Sequence, residues 1–382
     1  MIPLFILLFF LFSLMWIYGG YFLFIALLSC ILKKENNINL SYTPEVTIII
    51  PTFNEERVIE ERLKNLLAQD YPHDKLQFLV VDSGSTDKTG EIVNRFKSYG
   101  VELLTENERK GKGAAIRYAL NFSRYGIIVV SDANSYFEPG CLKKILSNFS
   151  DLRVGGVTGR YTVREKLKGP GSQGSVFFRE YENNLRRYES QVDSAVSLFG
   201  ELFACRKELC IVDERNLTED FDTSVYIRSK GYFLVYESGA EVYEYAPYSR
   251  QDLITQRKRV IIGTIQTIYK HKSMLFNPGY GLYGTIILPG HKLFPVLSPF
   301  FLFGFLVVAG VFFRTILGFC FFSFLGLFLL LALLNLINKK FPNLARIVFY
   351  IILVNFSCLL AWRDYFFGKY TVKWKKMESS RF

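Results

Sequence analysis

Four long runs without a charged residue constrain this chain more than any other feature of its sequence. They cover residues 3–32, 293–313, 315–338 and 347–362. A helix needs about 20 apolar residues to cross the hydrocarbon core of a bilayer, so the first three runs are long enough and the fourth is borderline. The runs therefore predict a protein that is anchored in a membrane through segments at both ends of the chain.

The first run also fits a cleaved signal peptide, which is the alternative to a retained anchor. The apolar core of a signal peptide spans about 7–15 residues and follows a basic segment. Here the apolar run is much longer, and no basic residue precedes it. We therefore interpret residues 3–32 as a retained membrane anchor.

The net charge of +11 arises from 46 basic and 35 acidic residues. Such an excess suits nucleic acid, anionic lipid or a phosphorylated substrate. Beside membrane anchors, cytoplasmic positive charge that fixes the orientation is the simpler explanation. The sequence contains no recognised nucleic-acid-binding module, so we expect no nucleic acid partner. The six cysteines include no Cys-x-x-Cys pair, which predicts neither a zinc site nor a disulfide framework.

Strand and helix patterns alternate along the polar stretch between the anchors. The predicted strands are residues 46–50, 76–81, 101–104 and 127–130, and the predicted helices between them are residues 54–67, 88–99 and 112–120. This alternation predicts an α/β domain with a mostly parallel central sheet covered by helices. Because ligands bind beyond the carboxyl ends of such strands, a single crevice should collect Thr52, Asp82 and Asp132.

Polar clusters follow these elements in a fixed order. Each cluster alone also fits an ordinary turn or helix cap, so the order carries the information. From the N-terminus the clusters are Pro51-Thr52-Phe53-Asn54-Glu55, Asp82-Ser83-Gly84-Ser85, Lys110-Gly111-Lys112-Gly113, Asp132-Ala133-Asn134, Thr218-Glu219-Asp220 and Gln256-Arg257-Lys258-Arg259. In this order they resemble the family 2 glycosyltransferases, inverting enzymes that include cellulose, chitin and hyaluronan synthases. The resemblance covers residues 46–267 and implies a GT-A-like, nucleotide-sugar-binding fold.

The resemblance implies a donor site at the carboxyl ends of the strands. Thr52, Glu55 and Asp82 match the positions at which the family holds the nucleoside, and a carboxylate can accept a hydrogen bond from a base N–H or a ribose hydroxyl. Lys112 opens a helix after glycine, where backbone amides can approach a phosphate. We therefore expect all four residues to bind the donor.

Gln256, Arg257 and Arg259 match most of the Gln-x-x-Arg-Trp motif of processive synthases. In those enzymes the cation helps to hold the leaving diphosphate. Residue 260 is valine instead of tryptophan, which puts processivity in doubt. The alternative is that these cations form the solvated face of a basic amphipathic segment, residues 248–272, that lies in the membrane interface.

The resemblance also implies a divalent metal. Asp132-Ala133-Asn134 matches the family's Asp-x-Asp motif, which holds the donor diphosphate through the metal. Mg²⁺ and Mn²⁺ prefer oxygen ligands, so Asp132 and Asn134 are the expected ligands. Asn134 also fits an ordinary turn residue.

Thr218-Glu219-Asp220 matches the family's catalytic-base motif. Inversion needs a carboxylate that takes the proton from the acceptor hydroxyl, and Asp220 stands at the matching position with Glu219 beside it. The same run also suits the start of a helix. Phe199 and Gly200 precede it at a position where relatives contact the acceptor, although Phe199 equally fits the core.

These expectations combine into a membrane-bound inverting glycosyltransferase with a UDP-sugar donor and a polysaccharide or lipid-linked acceptor. One alternative is a catalytically inactive nucleotide-sugar-binding membrane protein. Another is a single transfer to a lipid instead of processive polymerisation. A transporter is disfavoured because the apolar runs contain no charged residue.

Five parts are expected along the chain. They are an N-terminal transmembrane anchor (1–34), a cytoplasmic glycosyltransferase domain (35–248), amphipathic interfacial helices (249–292), C-terminal transmembrane helices (293–367) and a basic tail (368–382). Lys33 and Lys34 follow the first span, which favours a cytoplasmic domain at the cell membrane. The basic residues of the tail favour the cytoplasm, whereas a full fourth span would put the tail outside.

Overall fold

An eight-stranded sheet lies at the centre of the segment between the apolar runs. In the computed structural model, its strands are β1 Val46–Thr52, β2 Leu76–Asp82, β3 Val101–Thr105, β4 Ile127–Ser131, β5 Tyr136–Phe137, β6 Val154–Arg164, β7 Leu202–Arg206 and β8 Phe233–Tyr245. Their spatial order is β3-β2-β1-β4-β7-β6-β8-β5. The structure describes residues 2–34, 36–164, 172–245, 250–311 and 343–373, with four isolated positions between 323 and 330.

The sheet is mixed, and its parallel half matches the prediction from the sequence. β1 pairs in parallel with β2 and β4, and β2 pairs in parallel with β3. β1 and β4 are buried and largely β-branched, as expected for central strands covered by helices on both faces, whereas the edge strand β3 is mostly half-buried. β7 lies antiparallel to β4 and β6, β5 lies antiparallel to β8, and β6 and β8 are parallel. The prediction of an α/β domain with four alternating strands is confirmed.

Helices cover the sheet and carry three of the six polar clusters. They are α3 Ile59–Leu67, α4 Thr89–Asn94, α5 Lys112–Leu120, α6 Cys141–Ser147, α7 Ser172–Val192, α8 Glu219–Ser229 and α9 Arg250–Lys270, after the apolar helices α1 Ile2–Met15 and α2 Tyr21–Ile31. α5 packs against β1 and β2, and α7 packs against β6. The buried core continues from the strands to Tyr21, Tyr283 and Val296 in the apolar segments.

Two predicted helices are shorter than their patterns suggest. The helix predicted from residue 54 begins at Ile59, because Asn54 adopts a left-handed conformation with φ 56°. The Asn54 side chain accepts a hydrogen bond from Thr86 N at 2.8 Å, and its own backbone N–H donates to Ser85 Oγ at 2.8 Å. This loop is therefore tied to the loop after β2. The helix predicted over residues 88–99 ends at Asn94 and is followed by a short 3₁₀ turn.

Two continuous helical segments among the described residues are long and apolar enough to cross a membrane. They are Leu4–Ile31 and Tyr283–Val311. The second begins with two π-helical turns, the latter at Pro289–Leu293, and continues as α10 Phe294–Val311. The predicted run 315–338 lies outside the described residues apart from isolated positions. The borderline run 347–362 lies within a longer helix, α11 Asn343–Phe366.

α10 runs antiparallel to its two neighbours. Near its start, Trp362 Nε1 of α11 donates a hydrogen bond to Val296 O at 2.8 Å. Farther along α10, a side chain at Gly304 would collide with the Phe10 ring of α1. The end of α11 therefore lies beside the α/β domain. The following residues reach Gly111, where an added Cβ atom would lie 3.1 Å from Val372 O.

The contact between α8 and α9 depends on a glycine. A Cβ atom added at Gly263 of α9 would lie 2.8 Å from the backbone nitrogen of Thr218 and 2.7 Å from its Cγ2. We predict that Gly263→Ala lowers the free energy of unfolding by about 1–3 kcal/mol, the usual cost of overpacking. Urea titration in detergent measures this loss.

Gly126→Ala is the matched control, because nothing lies within 4 Å of a Cβ atom at Gly126. Equal stability of Gly263→Ala and the control would show that the two helices do not meet at this glycine.

Candidate active site

The nucleoside positions predicted from the sequence meet at one edge of the sheet. Thr52 and Asp82 are register partners at the ends of the parallel strands β1 and β2. Thr52 Oγ1 donates to Val81 O at 3.0 Å, and Asp82 Oδ1 accepts from Ser85 N at 3.0 Å. Both side chains are buried. The loop after β1 therefore lies directly beside the loop after β2.

Glu55 lies in the same pair of loops. Its backbone N–H donates to Thr89 Oγ1 at 2.7 Å, and the residue is buried. Across the crevice, the Arg109 guanidinium stacks on the Phe53 ring at 3.9 Å. Polar, cationic and aromatic groups therefore converge at the ends of β1 and β2.

The Lys112 ammonium joins the second group of predicted residues. Its Nζ lies 2.6 Å from Asp132 Oδ1 and 3.1 Å from Glu219 Oε1, and it donates to Gly200 O at 3.1 Å. Only 9% of the Lys112 side chain is exposed, and only 4% of the Glu219 side chain. The preceding Gly111 has φ 112°, a conformation that glycine adopts without strain. One buried cation thus links strand β4, helix α8 and the loop before β7.

Electrostatic effects shift the pKa values of the two neighbouring carboxyl groups of α8 in opposite directions. Burial raises the pKa of Glu219, but Lys112 and Arg259 lower it more, so the net shift is downward. Burial and the charge of Glu219 raise the pKa of Asp220 to about 6. Two acids whose environments push their pKa values apart are typical of sites that use one as a proton acceptor near neutral pH.

Asp220 is directed into the crevice, whereas the next acidic residue of α8 is committed to a structural contact. An added Cβ atom at Gly200 would lie 3.4 Å from Asp220 Oδ2. Asp222 instead contacts Lys270 Nζ at 2.7 Å and His271 Nε2 at 2.9 Å. Of these two aspartates, the geometry therefore favours Asp220 as the reactive group.

The cations of α9 separate into different environments. Arg259 lines a small cavity together with Lys112 and Glu219, and its Nε donates to Leu217 O at 3.1 Å. Arg257 stacks on the ring of Phe178 at 5.1 Å. Gln256 is half-buried and makes no hydrogen bond to any residue that the structure describes. The structure thus brings Arg259 to the Lys112 cluster but not Gln256 or Arg257.

The two predicted acceptor residues have different surroundings. Phe199 is buried, with the Arg186 guanidinium 4.0 Å from its ring and Tyr161 in edge contact at 5.9 Å. It is therefore a core residue. Gly200 lies between Lys112 and Asp220, where an added side chain would fill the crevice.

The metal ligands expected from the sequence offer few oxygen atoms. Asp132 directly follows β4, and Asn134 is buried two residues later. Within the described part of the chain, no three His, Cys, Asp or Glu side chains cluster as a metal site would require. This sparse set fits Mg²⁺ or Mn²⁺ held by one or two protein oxygens together with substrate phosphates. Asp132 already forms an ion pair with the Lys112 ammonium, which shows that a cation binds favourably at this position.

Sequence patterns missed a buried arginine beneath Asp132. Arg62 is fully buried, its Nη2 donates to Ser131 Oγ at 2.9 Å, and its guanidinium lies 4.2 Å from the Phe137 ring. Burial lowers the pKa of Arg62 to about 9. Arg62 holds the end of β4 in place. The sequence did not reveal this role, because a buried arginine and a solvent-exposed arginine look the same in an amphipathic helical pattern.

Known proteins are similar to this chain in sequence and in fold. The family model described as "Glycosyl transferase family 2" matches residues 47–211. Over these residues the chain resembles a family 2 glycosyltransferase domain. The chain is 26% identical over 255 residues to a poly-β-1,6-N-acetyl-D-glucosamine synthase of Staphylococcus aureus, covering 65% of this chain and 61% of the relative. It is also 26% identical over 253 residues to the probable glycosyltransferase YdaM of Bacillus subtilis, covering 62% and 59%.

Among solved structures, the fold is similar to that of the mannosyltransferase PcManGT from Pyrobaculum calidifontis, which was solved in complex with GDP-Man and Mn²⁺. The TM-score is 0.74 at 24% identity, over 96% of this chain and 100% of the other. The predicted GT-A-like fold is confirmed. The chain spans about three fifths of the length of the two curated relatives.

Asp220 should set the acid side of the pH profile. A base must be ionised to accept a proton, so the rate should fall as the pH drops through about 6, the pKa of Asp220. Asp220→Asn should lower the rate by about 10²–10⁴ and remove this acid limb. Nucleotide release between pH 5 and pH 8 measures both effects.

Asp222→Asn serves as the comparison, because Asp222 contacts Lys270 and His271. This variant should lose stability but keep the acid limb of the wild-type protein. An acid limb that persists in Asp220→Asn would assign the titration to another group.

Proposed function

We propose that this chain is a membrane-bound inverting glycosyltransferase that transfers a sugar from a UDP-sugar to a polysaccharide or lipid-linked acceptor. The observation that carries the proposal is the placement of Asp132 and Glu219 around the Lys112 ammonium, with Asp220 beside it. This arrangement puts a phosphate-binding position and a proton acceptor on neighbouring sides of one crevice.

In this proposal, the loops after β1 and β2 hold the nucleoside. Asp82 accepts hydrogen bonds from a base N–H or a ribose hydroxyl, which a carboxylate does well. Thr52 and Glu55 shape the same pocket, since the loops that carry them are hydrogen-bonded to each other. Arg109 and Phe53 form a flat, cationic surface against which a base can stack.

The diphosphate lies between Asp132 and the basic residues. Asp132 and Asn134 would hold a divalent metal, which supplies positive charge to the diphosphate when it is bound. Lys112 and Arg259 stabilise the charge that develops on the leaving UDP, because both line the same small cavity. Glu219 holds the Lys112 ammonium in place.

Asp220 takes the proton from the acceptor hydroxyl. The acceptor oxygen forms a bond to the anomeric carbon as the bond from that carbon to the phosphate oxygen breaks, and UDP leaves with the electron pair. Attack from the face opposite the phosphate inverts the anomeric centre. The raised pKa of Asp220 suits this role, since a stronger base accepts the proton more readily.

The relatives suggest which donors to test. The name of the Staphylococcus aureus relative makes UDP-N-acetylglucosamine the first candidate. The mannosyltransferase was solved with GDP-Man, so guanosine donors belong in the same panel. Val260 replaces the tryptophan of processive synthases, which supports including short lipid-linked acceptors beside polysaccharide ends.

We also propose how the chain is placed in the membrane. Leu4–Ile31 and Tyr283–Val311 anchor the protein by their length and apolar composition, and Lys33 and Lys34 favour a cytoplasmic catalytic domain. The contact of Val372 with Gly111 supports a tail that begins on the cytoplasmic side. We propose the five parts expected from the sequence, with the second anchor beginning at Tyr283 instead of residue 293.

A nucleotide-release screen of the full chain tests this function. We expect release of UDP from at least one UDP-sugar when Mg²⁺ or Mn²⁺ is present, and loss of release in excess EDTA or in Asp132→Ala. Asn134→Asp should bind the metal equally or more tightly, because a charged ligand replaces a neutral one.

Full activity in excess EDTA would refute the metal requirement. Binding of a UDP-sugar without release under any acceptor condition would instead favour the inactive nucleotide-sugar-binding protein.

A further inference from the structure

A buried histidine fixes the start of the second membrane segment against α7. His291 Nδ1 lies 2.7 Å from Glu189 Oε1, and His291 Nε2 lies 3.3 Å from Glu182 Oε1. Glu189 Oε1 also accepts a hydrogen bond from Tyr21 Oη of the first membrane segment, at 2.7 Å. His291, Glu189 and Tyr21 are all buried. These contacts set the rotation of the turn Pro289–Leu293 relative to the catalytic domain.

The next residue, Lys292, is thereby directed toward the proposed base. Successive residues of a helical turn point in different directions, so Lys292 cannot share the direction of His291. Its Nζ lies 5.3 Å from the centre of the Phe221 ring, and Phe221 directly follows Asp220. Lys292 is half-buried and does not line the donor-side cavity that contains Lys112. Lys292 therefore lies against α8 at the residue next to Asp220, and the charge of Asp220 acts on its ammonium.

Lys292 has no hydrogen bond or ion pair with any residue in the described part of the chain. An ammonium carries three donors, and leaving them unfilled away from water costs free energy unless a ligand fills them. Lys292 is thus a half-buried ammonium whose N–H donors have no hydrogen-bond acceptor among the described residues. It lies near the carboxylate that accepts a proton in the proposed reaction.

The surrounding charges indicate what kind of ligand fits. The charged groups within electrostatic reach of Lys292 are Arg186, Glu182, Glu189 and Asp220. Glu182 pairs with Arg186 and contacts His291, and Glu189 accepts hydrogen bonds from Tyr21 Oη and Val196 N. Asp220 offsets the charge of Lys292, and Asp132 and Glu219 offset the charge of Lys112. No excess positive charge is left for an anion, so hydroxyl groups suit the position better than a phosphate.

We infer that Lys292 is an acceptor-binding residue, supplied by the membrane segment, that donates hydrogen bonds to the hydroxyl and ring oxygens of a neutral sugar beside Asp220. The inference rests on the proposed function, because it takes Asp220 as the base. It adds that the acceptor presents a sugar, instead of an anionic lipid headgroup, and that the active site is complete only when the membrane segment is in place.

Amine footprinting of the full chain tests this contact without turnover. The protein is kept in a polyoxyethylene detergent, which carries no sugar, and its lysines are acetylated with and without octyl β-D-glucoside or phosphatidylglycerol. We expect the glucoside to protect Lys292 several-fold, and phosphatidylglycerol to protect it no more than the detergent does. The exposed Lys272 is the internal control and should label equally in all samples.

Three outcomes would overturn the inference. Equal labelling of Lys292 with and without the glucoside would do so, as would protection by phosphatidylglycerol alone. Failure of Lys292 to label in the ligand-free protein would also contradict it, because an acceptor must be able to reach the ammonium. If the wild-type protein releases no nucleotide from any donor but the glucoside protects Lys292, the proposed function fails and the sugar site stands.

Kinetics supply the second measurement. Lys292→Met should raise the KM for octyl β-D-glucoside by about tenfold or more, the value of a hydrogen bond to a charged group, with a smaller change in kcat. Lys292→Arg should recover part of the affinity, and Lys272→Met should match the wild-type protein. A fall in kcat alone in Lys292→Met, with KM unchanged, would contradict a role in acceptor binding.

Discussion

The ion pairs of the Lys112 ammonium with Asp132 and Glu219 are the contacts on which the rest of the active site depends. Carboxylates from β4 and α8 would repel each other in a buried crevice without a cation between them. Removing one partner of such a group typically costs about 3–5 kcal/mol, because an uncompensated charge is left behind. The same ammonium donates a hydrogen bond to Gly200 O, so it also fixes the backbone beside Asp220. Lys112 thus positions both the proposed donor site and the proposed acceptor site.

A second polar centre couples the membrane segments to this site. Glu189 joins the first membrane segment through Tyr21 and the second through His291, while α7 packs on the sheet. Buried polar groups of this kind hold a single arrangement when all their partners are present. The α/β domain and the described apolar helices therefore form one structure, and the position of Lys292 follows from it. An isolated α/β domain would lack that group.

Much of the fold followed from the sequence, for physical reasons. β-branched runs and the order of the polar clusters predicted β1 to β4 and placed Asp132 and Asp220 correctly at the ends of elements. The antiparallel strands were not predicted, because no helical pattern separates them regularly. Asp220 and Asp222 could not be told apart by pattern alone; only the contacts of Asp222 with Lys270 and His271 do so. Arg62 and Lys292 were missed because their roles depend on long-range contacts.

A structure of the full chain with UDP and Mn²⁺, in which anomalous scattering locates the metal, tests the central claim most directly. The account predicts Mn²⁺ on Asp132, the diphosphate beside Lys112 and Arg259, and the Asp220 carboxylate facing the open side of the crevice. A diphosphate bound away from Lys112, or Mn²⁺ bound at another set of residues, would contradict it.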